Sequence, residues 1–499
     1  MPIDEPVTNN ELFVGLIAPL GVDLEAVAHA LDRALHTVSY RTDQIRLTDT
    51  FATEQPENEA LFEKYSRLIK TGNDLRKEYV PDVFSYLAIQ SVVRNRREKG
   101  HVVTDRRATI IRQLKRVEEV ELLRSVYGSN IIFLSCFAPR AVRVKYFADK
   151  FSSEDRSKSR TLNEARALEL ISKDEHEADD PNGQRLLETY AKGDFVVDCS
   201  SPQALTRTME RFVQAFFGYP FISPNHDEYG AFMAHSASLR SADLSRQVGA
   251  AIFQPSGEII SLGCNEVPKF GGGTYWTDDV NDARDFQIGL DSNARLKTDM
   301  VRDTVQHLVA AGWQPPTAGG DGNELADAMI NDILEFGRVI HAEMNALCDA
   351  SRFGRATAGS TLYCTTFPCH MCSRHIVAAG VIKVVYLEPY HKSLTRELYP
   401  DSIAFDDGAD ITQGKVVFAS YAGVTPLAFQ KVFAKRRRKD RDGKAAEWAP
   451  ERARPITLST TEYLNLEQVA LAQIASMESV ADYAPISSQA THSGPSSSG

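Results

Sequence analysis

A histidine, a glutamate and two cysteines near the middle of the chain have the types and spacing that a catalytic metal site needs. His341 and Glu343 form the triplet H-x-E, and Cys369 and Cys372 follow in the run P-C-H-M-C. Zinc in proteins prefers tetrahedral nitrogen and sulfur ligands, and a catalytic zinc keeps one position open. His341, Cys369 and Cys372 would fill three positions, so the sequence predicts a Zn2+ site whose fourth position is left for water.

The spacing also places these residues at the starts of helices. Cys369 and Cys372 are one helical turn apart, so both sulfurs can face one metal ion from a helix N-terminus, whose positive end favours thiolates. Glu343 lies two residues after His341, near the start of another helix. Its carboxylate would then be close enough to carry the proton of the water, and Glu343 is the predicted catalytic residue.

A lone C-x-x-C pair is also compatible with a structural zinc half-site or a redox pair. A structural zinc site needs four protein ligands. The nearest other cysteines are Cys348, two turns along the helix from His341, and Cys364, in a predicted strand. Neither has a matching spacing, and we expect both to pack in the core, so the catalytic interpretation is favoured.

Together, H-x-E and P-C-x-x-C are the signature of zinc-dependent nucleobase deaminases. In that chemistry the metal activates water for attack on C4 of cytosine. Glu343 would accept the water proton and deliver it to N3 and then to the leaving amine, so that ammonia leaves and uracil remains.

Further motifs between residue 226 and about residue 400 resemble those of deoxycytidylate deaminases. They are QVGA from Gln247, GCNEVP from Gly263, HAEMNAL from His341 and YCTTFPCHMCSRHI from Tyr363. The resemblance implies that Asn265 lies against the sugar, that the backbone of Ala342 approaches the base, and that Tyr386 lies near the nucleotide. An asparagine that serves a turn is the alternative for Asn265.

The order of domains resembles that of anti-phage dCTP deaminases, in which a P-loop kinase-like domain precedes a deoxycytidylate deaminase. The run from Arg240 and an insertion that begins at Gly271 add to this likeness. It implies free deoxycytidine nucleotides (dCTP, dCMP or both) as substrates, depletion of dCTP during infection, inhibition by a small RNA, and a homo-oligomer, with a hexamer possible.

The N-terminal region is predicted to begin as strand, loop and helix, which is the context of a phosphate-binding loop. Gly15 and Gly21 are its candidate glycines, but Val22 replaces the lysine of that motif and Asp23 replaces its serine or threonine. Catalysis of phosphoryl transfer depends on that lysine and on magnesium. We therefore expect a kinase-like fold with a degenerate phosphate loop and no efficient kinase activity.

The predicted fold class is α/β, with a parallel sheet in the N-terminal domain and a three-layer α/β/α deaminase domain after it. The predicted ranges are 1–218 for the kinase-like domain, 219–434 for the deaminase domain, and 435–499 for a basic run, a C-terminal extension and a disordered tail. The basic run, 435–441, is interpreted either as an RNA contact or as a solvated loop.

Composition limits the remaining function classes. The chain has 499 residues, 43% of them hydrophobic, and a net charge of -11, which disfavours a general nucleic-acid coat. No apolar run approaches the roughly 20 residues of a membrane span. The acidic, polar start does not resemble a secretory signal, and seven sparse cysteines suggest reduced thiols, so a cytoplasmic protein is expected.

Other functions stay open at this point. One is a nucleotide kinase with an accessory zinc module, alone or as a bifunctional enzyme, which the missing lysine disfavours. The others are a deaminase of polynucleotides, a regulatory protein with an inactive deaminase domain, and a housekeeping dCMP deaminase for dTMP synthesis. The acidic charge disfavours the polynucleotide substrate, and the intact Glu343 disfavours the inactive enzyme.

Overall fold

The structure, a computed structural model, folds into two compact units. It describes residues 9–51, 59–157, 159–176, 186–314, 328, 330, 333, 335–389, 393–405, 414–457 and 461–477. Unit 1 comprises Met1–Ser223 and Ala422–Gly499, and unit 2 comprises Pro224–Tyr421. Among the described residues, no helix is both long and apolar enough to cross a membrane.

The strands number twelve in the described part of the chain. They are β1 (Leu12–Ile17), β2 (Arg41–Arg46), β3 (Arg107–Leu114), β4 (Ile131–Phe137), β5 (Phe195–Asp198), β6 (Gly249–Phe253), β7 (Ile259–Cys264), β8 (Thr361–Thr366), β9 (Lys383–Glu388), β10 (Ile403–Phe405), β11 (Val416–Ser420) and β12 (Gly423–Val424).

The α-helices connect most of these strands. They are α1 (Leu24–His36), α2 (Leu61–Glu78), α3 (Val83–Glu98), α4 (Val117–Tyr127), α5 (Arg140–Glu154), α6 (Arg160–His176), α7 (Leu186–Tyr190), α8 (Pro202–Phe216), α9 (His226–Ser238), α10 (Asp285–Ile288), α11 (Ser292–Ala310), α12 (Ala342–Arg352), α13 (His370–Ala378), α14 (Thr395–Leu398), α15 (Pro426–Phe433) and α16 (Tyr463–Ala475).

Unit 1 contains a six-stranded sheet in the order β12-β5-β4-β1-β3-β2. Its first five strands along the chain pair in parallel, and β12 pairs with β5 in the antiparallel direction. Strand β1 is buried over its whole length. That is typical of a parallel sheet covered on both faces, where a strand is apolar throughout instead of alternating.

The C-terminal segment folds back into unit 1. Val424, Ala428 and Val432 are buried in the core with Phe212 of α8. Helix α16 packs its apolar side, including Tyr463, on the other core of the same unit.

In the structure, unit 2 begins after residue 223 and ends at residue 421. The sequence-based prediction placed the corresponding domain boundaries after residues 218 and 434. Most of the segment from 435 that the structure describes packs as part of unit 1 because its apolar residues complete that core. The predicted disordered tail, from about residue 482, lies outside the described residues.

Unit 2 contains a second six-stranded sheet, in the order β10-β11-β9-β8-β6-β7. The strands β6 and β7 form an antiparallel hairpin, and β8, β9, β10 and β11 are parallel. The structure thus confirms a mixed α/β chain with two mainly parallel sheets.

Two glycines allow helices to lie directly on the sheet of unit 2. A Cβ on Gly249 of β6 would collide with the backbone of Ala234 in α9, and one on Gly263 of β7 would collide with the backbone of Ala342 in α12. Close contact here fixes the start of α12 against the end of β7. The first turn of α12 carries the predicted catalytic residue.

Candidate active site

The three predicted zinc ligands meet where two helices begin. His341 is the N-cap residue of α12, Cys369 is the N-cap residue of α13, and Cys372 lies in the first turn of α13. The Nδ1 atom of His341 lies 3.4 Å from the Sγ atom of Cys369 and 3.3 Å from that of Cys372.

This geometry fits a zinc ion. The three ligand atoms lie within 4.8 Å of one another, and this is the one such cluster among the described residues. Tetrahedral zinc, with Zn–S near 2.3 Å and Zn–N near 2.0 Å, holds nitrogen and sulfur ligands about 3.5 Å apart. The observed separations are close to that value, so the residues suit the metal.

The cluster is polarised by its own hydrogen bonds. The contacts from Cys372 and then His341 lower the pKa of Cys369 to about 4. The same contact with Cys369 raises the pKa of His341 to about 9. One thiol is therefore readily deprotonated, and the thiolate is the form of cysteine that binds metals.

Glu343 lies next to the cluster without being part of it. Its side chain is buried, and its Oε2 atom accepts a hydrogen bond from the Cys372 thiol at 3.5 Å. Burial raises the pKa of Glu343 because the charged form loses its hydration. A carboxyl group in this environment is suited to holding and releasing a proton.

A cavity of about 370 Å³ opens over this cluster. Of its lining residues, Glu343, Ala342 and Cys369 are buried, whereas Ser245 and Arg246 are exposed. The lining residues are Asp243, Ser245, Arg246, Val248, Asn265, Asp285, Asp291, Asn293, Gly337, Val339, His341, Ala342, Glu343, Thr366, Phe367 and Cys369.

Asn265 both lines the cavity and holds the neighbouring loop. Its Oδ1 atom accepts the amide of Val248 at 2.7 Å, and its Nδ2 atom donates to the carbonyl of Arg246 at 2.7 Å. A side-chain amide has two donors and two acceptor positions, so these bonds use half of its capacity. The two predicted interpretations, a substrate contact and a turn, are both compatible with this arrangement.

Tyr386 is the predicted substrate residue that does not line the cavity. It lies buried on β9 and packs edge-on against Phe367, with the ring centroids 4.9 Å apart. Phe367 does line the cavity, one residue before the P-C-x-x-C motif. Tyr386 therefore contacts a ring that lines the cavity.

The cavity also has residues that the sequence analysis did not identify. Arg246, Asp291 and Asn293 are examples, and the last two lie in the insertion that begins near Gly271. No local pattern identifies Asp291 and Asn293, because they reach the cavity only through the fold of a long insertion, whereas Arg246 directly precedes the QVGA motif. Cys348, which was expected in the core, is exposed on α12.

In unit 1 the candidate phosphate loop is occupied by carboxylates. Gly15 lies inside β1 and not in the loop, while Gly21 has a φ of 88° within it. The Asp23 carboxylate caps α1 by accepting two of its first amides, and Asp174 accepts the amide of Leu20 at 2.6 Å. These amides are the groups that would otherwise bind a phosphate.

Comparison with known proteins agrees with the site. Residues 224–388 match the family model described as "Cytidine and deoxycytidylate deaminase zinc-binding region". Deoxycytidylate deaminase of Enterobacteria phage T4 is 44% identical over 166 residues, which cover 32% of this chain and 77% of the phage protein.

Two further proteins are similar to part of the chain. ComE operon protein 2 of Bacillus subtilis is 40% identical over 94 residues, 18% of this chain and 47% of that protein, so the match spans about half of that relative. The crystal structure of dCMP deaminase from the cyanophage S-TIM5 in its apo form is 21% identical, with a TM-score of 0.21; the match covers 40% of this chain and 99% of that one. Through residues 224–388, with its zinc-binding region, the chain belongs to the cytidine and deoxycytidylate deaminase family.

Proposed function

We propose that this chain hydrolytically deaminates free deoxycytidine nucleotides, converting dCMP and dCTP to dUMP and dUTP with release of ammonia. The observation that carries the proposal is the meeting of His341, Cys369 and Cys372 beside the buried Glu343, in the wall of a cavity. The cavity volume lies within the range of about 300–1,000 Å³ that is usual for small-molecule sites.

The proposed chemistry divides between the metal and Glu343. The chemistry that zinc supplies when bound is Lewis-acid activation of water near the cytosine ring. Glu343 accepts one proton of that water on its carboxylate and delivers it to N3 of the ring. It then takes the second proton from the hydroxyl group that has added to C4 and passes it to the amine, so that ammonia leaves and the C4 carbonyl of uracil forms. Its burial excludes bulk water, so the carboxyl group retains the proton between these transfers.

Two other cavity residues orient the substrate in this proposal. Ala342 is fully buried beside Glu343, so its backbone is close to any base that reaches the carboxyl group. Asn265 has one donor and one acceptor position left for a sugar hydroxyl. Both assignments also follow from the resemblance to deoxycytidylate deaminases.

A free nucleotide suits the site better than a polynucleotide. Proteins that bind single strands combine a positive groove with aromatic stacking platforms. Here the described cavity lining includes the carboxylates of Asp243, Asp285 and Asp291 beside a single arginine. The net charge of -11 adds to the repulsion of a long polyanion.

For unit 1 we propose a P-loop kinase-like body without kinase activity. Its parallel strands run in the order β2-β3-β1-β4-β5, and the loop after β1 lies where the chain changes direction across the sheet. Ligands of open α/β sheets bind at such a point. Support for inactivity comes from Asp23 and Asp174, which already occupy the loop amides.

The fusion of the two units supports an anti-phage role, in which deamination depletes dCTP, and assembly into a homo-oligomer. The alternative role is supply of dUMP for dTMP synthesis. Infected cells that express the wild-type chain should lose dCTP relative to cells that express Glu343→Ala. Equal dCTP pools in the two strains would count against the defensive role.

A small RNA is the second proposed partner, and the basic run 435–441 is its proposed contact. An isolated bridge joins Lys439 to Ala445, and Arg438 donates to the carbonyl of Pro220 at 3.2 Å. Lys435, Arg437 and Arg441 are exposed around this hairpin. Neutralising the run should weaken RNA binding and reduce its salt dependence without changing nucleotide turnover. Unchanged RNA affinity would leave the run as a solvated loop.

The test of the main proposal is a substrate panel. The purified, zinc-loaded chain is incubated with dCMP, dCTP, CMP, deoxycytidine and single-stranded DNA, and uracil products are measured. We expect turnover of the deoxynucleotides, and none for the Glu343→Ala variant. Preference for single-stranded DNA, or no turnover of any cytosine compound, would contradict the proposal.

A further inference from the structure

The short segment that leads into the metal ligand His341 is held at two points. Ile340, the residue before His341, forms an isolated antiparallel bridge with Glu266. The Glu266 amide donates to the Ile340 carbonyl at 3.3 Å, and the Ile340 amide donates to the Glu266 carbonyl at 3.1 Å. Two residues before Ile340, Arg338 donates to the carboxylate of Asp285 at 2.7 Å. The backbone position of His341 therefore depends on where Glu266 and Asp285 lie.

The side chain of Glu266 is buried, and both of its carboxylate oxygens have partners. The Oε1 atom accepts the amide of Val267 at 2.9 Å, and the Oε2 atom accepts the amide of Ala242 at 2.9 Å. The Oε2 atom also lies 3.7 Å from the Nη1 atom of Arg284. A buried carboxylate is costly unless it is paired and hydrogen-bonded, so these contacts fix where Glu266 lies.

Arg284, the cation of this pair, comes from the insertion that begins near Gly271 and is also buried. Its Nε atom donates to Asp282 at 2.9 Å, and its Nη2 atom donates to the same carboxylate at 2.6 Å. Because a guanidinium is a rigid planar fork, two donors bound on one edge also set the direction of the remaining nitrogen. Asp282 thereby holds the Nη1 atom of Arg284 toward Glu266.

Two neighbouring residues of the insertion thus support the segment before the metal ligand. Arg284 pairs with Glu266, whose backbone bridges to Ile340, and Asp285 pairs with Arg338. Groups that hold metal ligands in place commonly set metal affinity, although they do not touch the metal themselves.

We propose that Glu266 and Arg284 are positioning residues of the metal site. Their ion pair fixes the bridge to Ile340 and thereby the position of His341 relative to the two cysteine ligands. The insertion then belongs to the working site, since it supplies the cation. This inference rests on the proposed function, because it concerns the same metal site, but its main readouts do not require turnover.

The test compares Glu266→Gln, Arg284→Gln and the double variant with wild type. Competition with a chelator measures zinc affinity, the visible absorption of Co2+ bound in place of zinc reports the ligand geometry, and dCMP turnover is measured in parallel. Each single variant should bind zinc about 10- to 100-fold more weakly and have an altered Co2+ spectrum. The double variant should be no worse than the weaker single variant, because both residues act through one pair. Arg284→Lys keeps the charge and should recover part of the affinity.

The matched control is Glu228→Gln. Glu228 is buried like Glu266, and its side chain accepts the amide of Asn225 at the start of α9. This variant should keep wild-type zinc affinity and the wild-type Co2+ spectrum, even where it lowers Tm. Thermal unfolding of the zinc-free proteins separates stability from metal affinity. If a single variant does not fold, the double variant decides, because it leaves no unpaired charge buried.

The possible failures are distinguishable. Wild-type zinc affinity and an unchanged Co2+ spectrum in the double variant would overturn the assignment of Glu266 and Arg284. An equal loss of zinc affinity in Glu228→Gln would also overturn it, because lower stability alone would then explain the effect. A wild type that binds zinc but deaminates no cytosine compound contradicts the proposed function, while the zinc measurements still decide the role of the pair.

Discussion

The Oε2 atom of Glu343 lies 3.5 Å from the Sγ atom of Cys372, so the proposed proton carrier touches a metal ligand without being one. Both side chains are buried. They come from different helices, α12 and α13, whose N-termini converge. This separation of roles allows metal binding and proton transfer to be tested independently.

The first prediction concerns the ligands. Replacing His341 by alanine, or Cys369 or Cys372 by serine, should reduce zinc content at least about tenfold and abolish deamination, because three protein ligands leave no reserve. Metal analysis of the purified variants measures this. Cys348→Ser is the matched control, since Cys348 is exposed on α12. Stoichiometric zinc in all three ligand variants would show that the ligands lie elsewhere.

The second prediction concerns Asn265, which is buried and joins two parts of the cavity wall. Asn265→Ala removes the bonds to Val248 and Arg246, each of which contributes about 0.5–1.5 kcal/mol. We expect a lower Tm and a lower kcat/KM for dCMP. Asn265→Asp keeps the acceptor for Val248, so its Tm should lie between those of Asn265→Ala and wild type. Wild-type kinetics in Asn265→Ala would exclude a role at the cavity.

A third prediction uses pH. Burial raises the pKa of Glu388 to about 7, and Arg246 partly opposes this shift. The folded-state pKa exceeds the usual value of about 4.3, so ionisation disfavours the folded state, and the free energy of unfolding falls as pH rises through that window. Glu388→Gln should therefore be more stable than wild type at pH 8, by about 2 kcal/mol or less, and similar to it at pH 4.

Thermal unfolding of unit 2 at the two pH values measures this difference. The exposed Glu258, in the turn between β6 and β7, provides the control substitution Glu258→Gln. A Glu388→Gln variant with the same stability difference at both pH values would contradict the assignment of a raised pKa.

A fourth prediction concerns phosphoryl transfer. The Glu343→Ala protein, incubated with labelled ATP and dCMP, dUMP or dTMP, should give no phosphorylated product, because Val22 offers no charge and Asp23 occupies the loop amides. Product formed at the roughly 1–100 per second of ordinary kinases would make the chain bifunctional.

The sequence predicted the metal cluster well because its information is local. His341, Glu343, Cys369 and Cys372 lie in two short motifs, each at the start of a helix. At the first of these helices, Gly263 allows α12 to lie directly against the sheet.

The remaining features depend on distant pairings that no short motif encodes. Strand β12 has only two residues. It pairs with β5, although all of unit 2 lies between these two strands along the chain. Asp291 and Asn293 reach the cavity from an insertion. Tyr386 was placed by family likeness, yet in the fold it packs behind Phe367.

The most direct test of the central claim measures zinc content and dCMP deamination together in wild type and Glu343→Gln. Glutamine keeps the size of the side chain but cannot accept and release the proton. We predict wild-type zinc stoichiometry and a loss of turnover of at least about 10²–10⁴-fold, the usual contribution of acid–base catalysis. Substantial turnover by Glu343→Gln at full zinc occupancy would contradict the account.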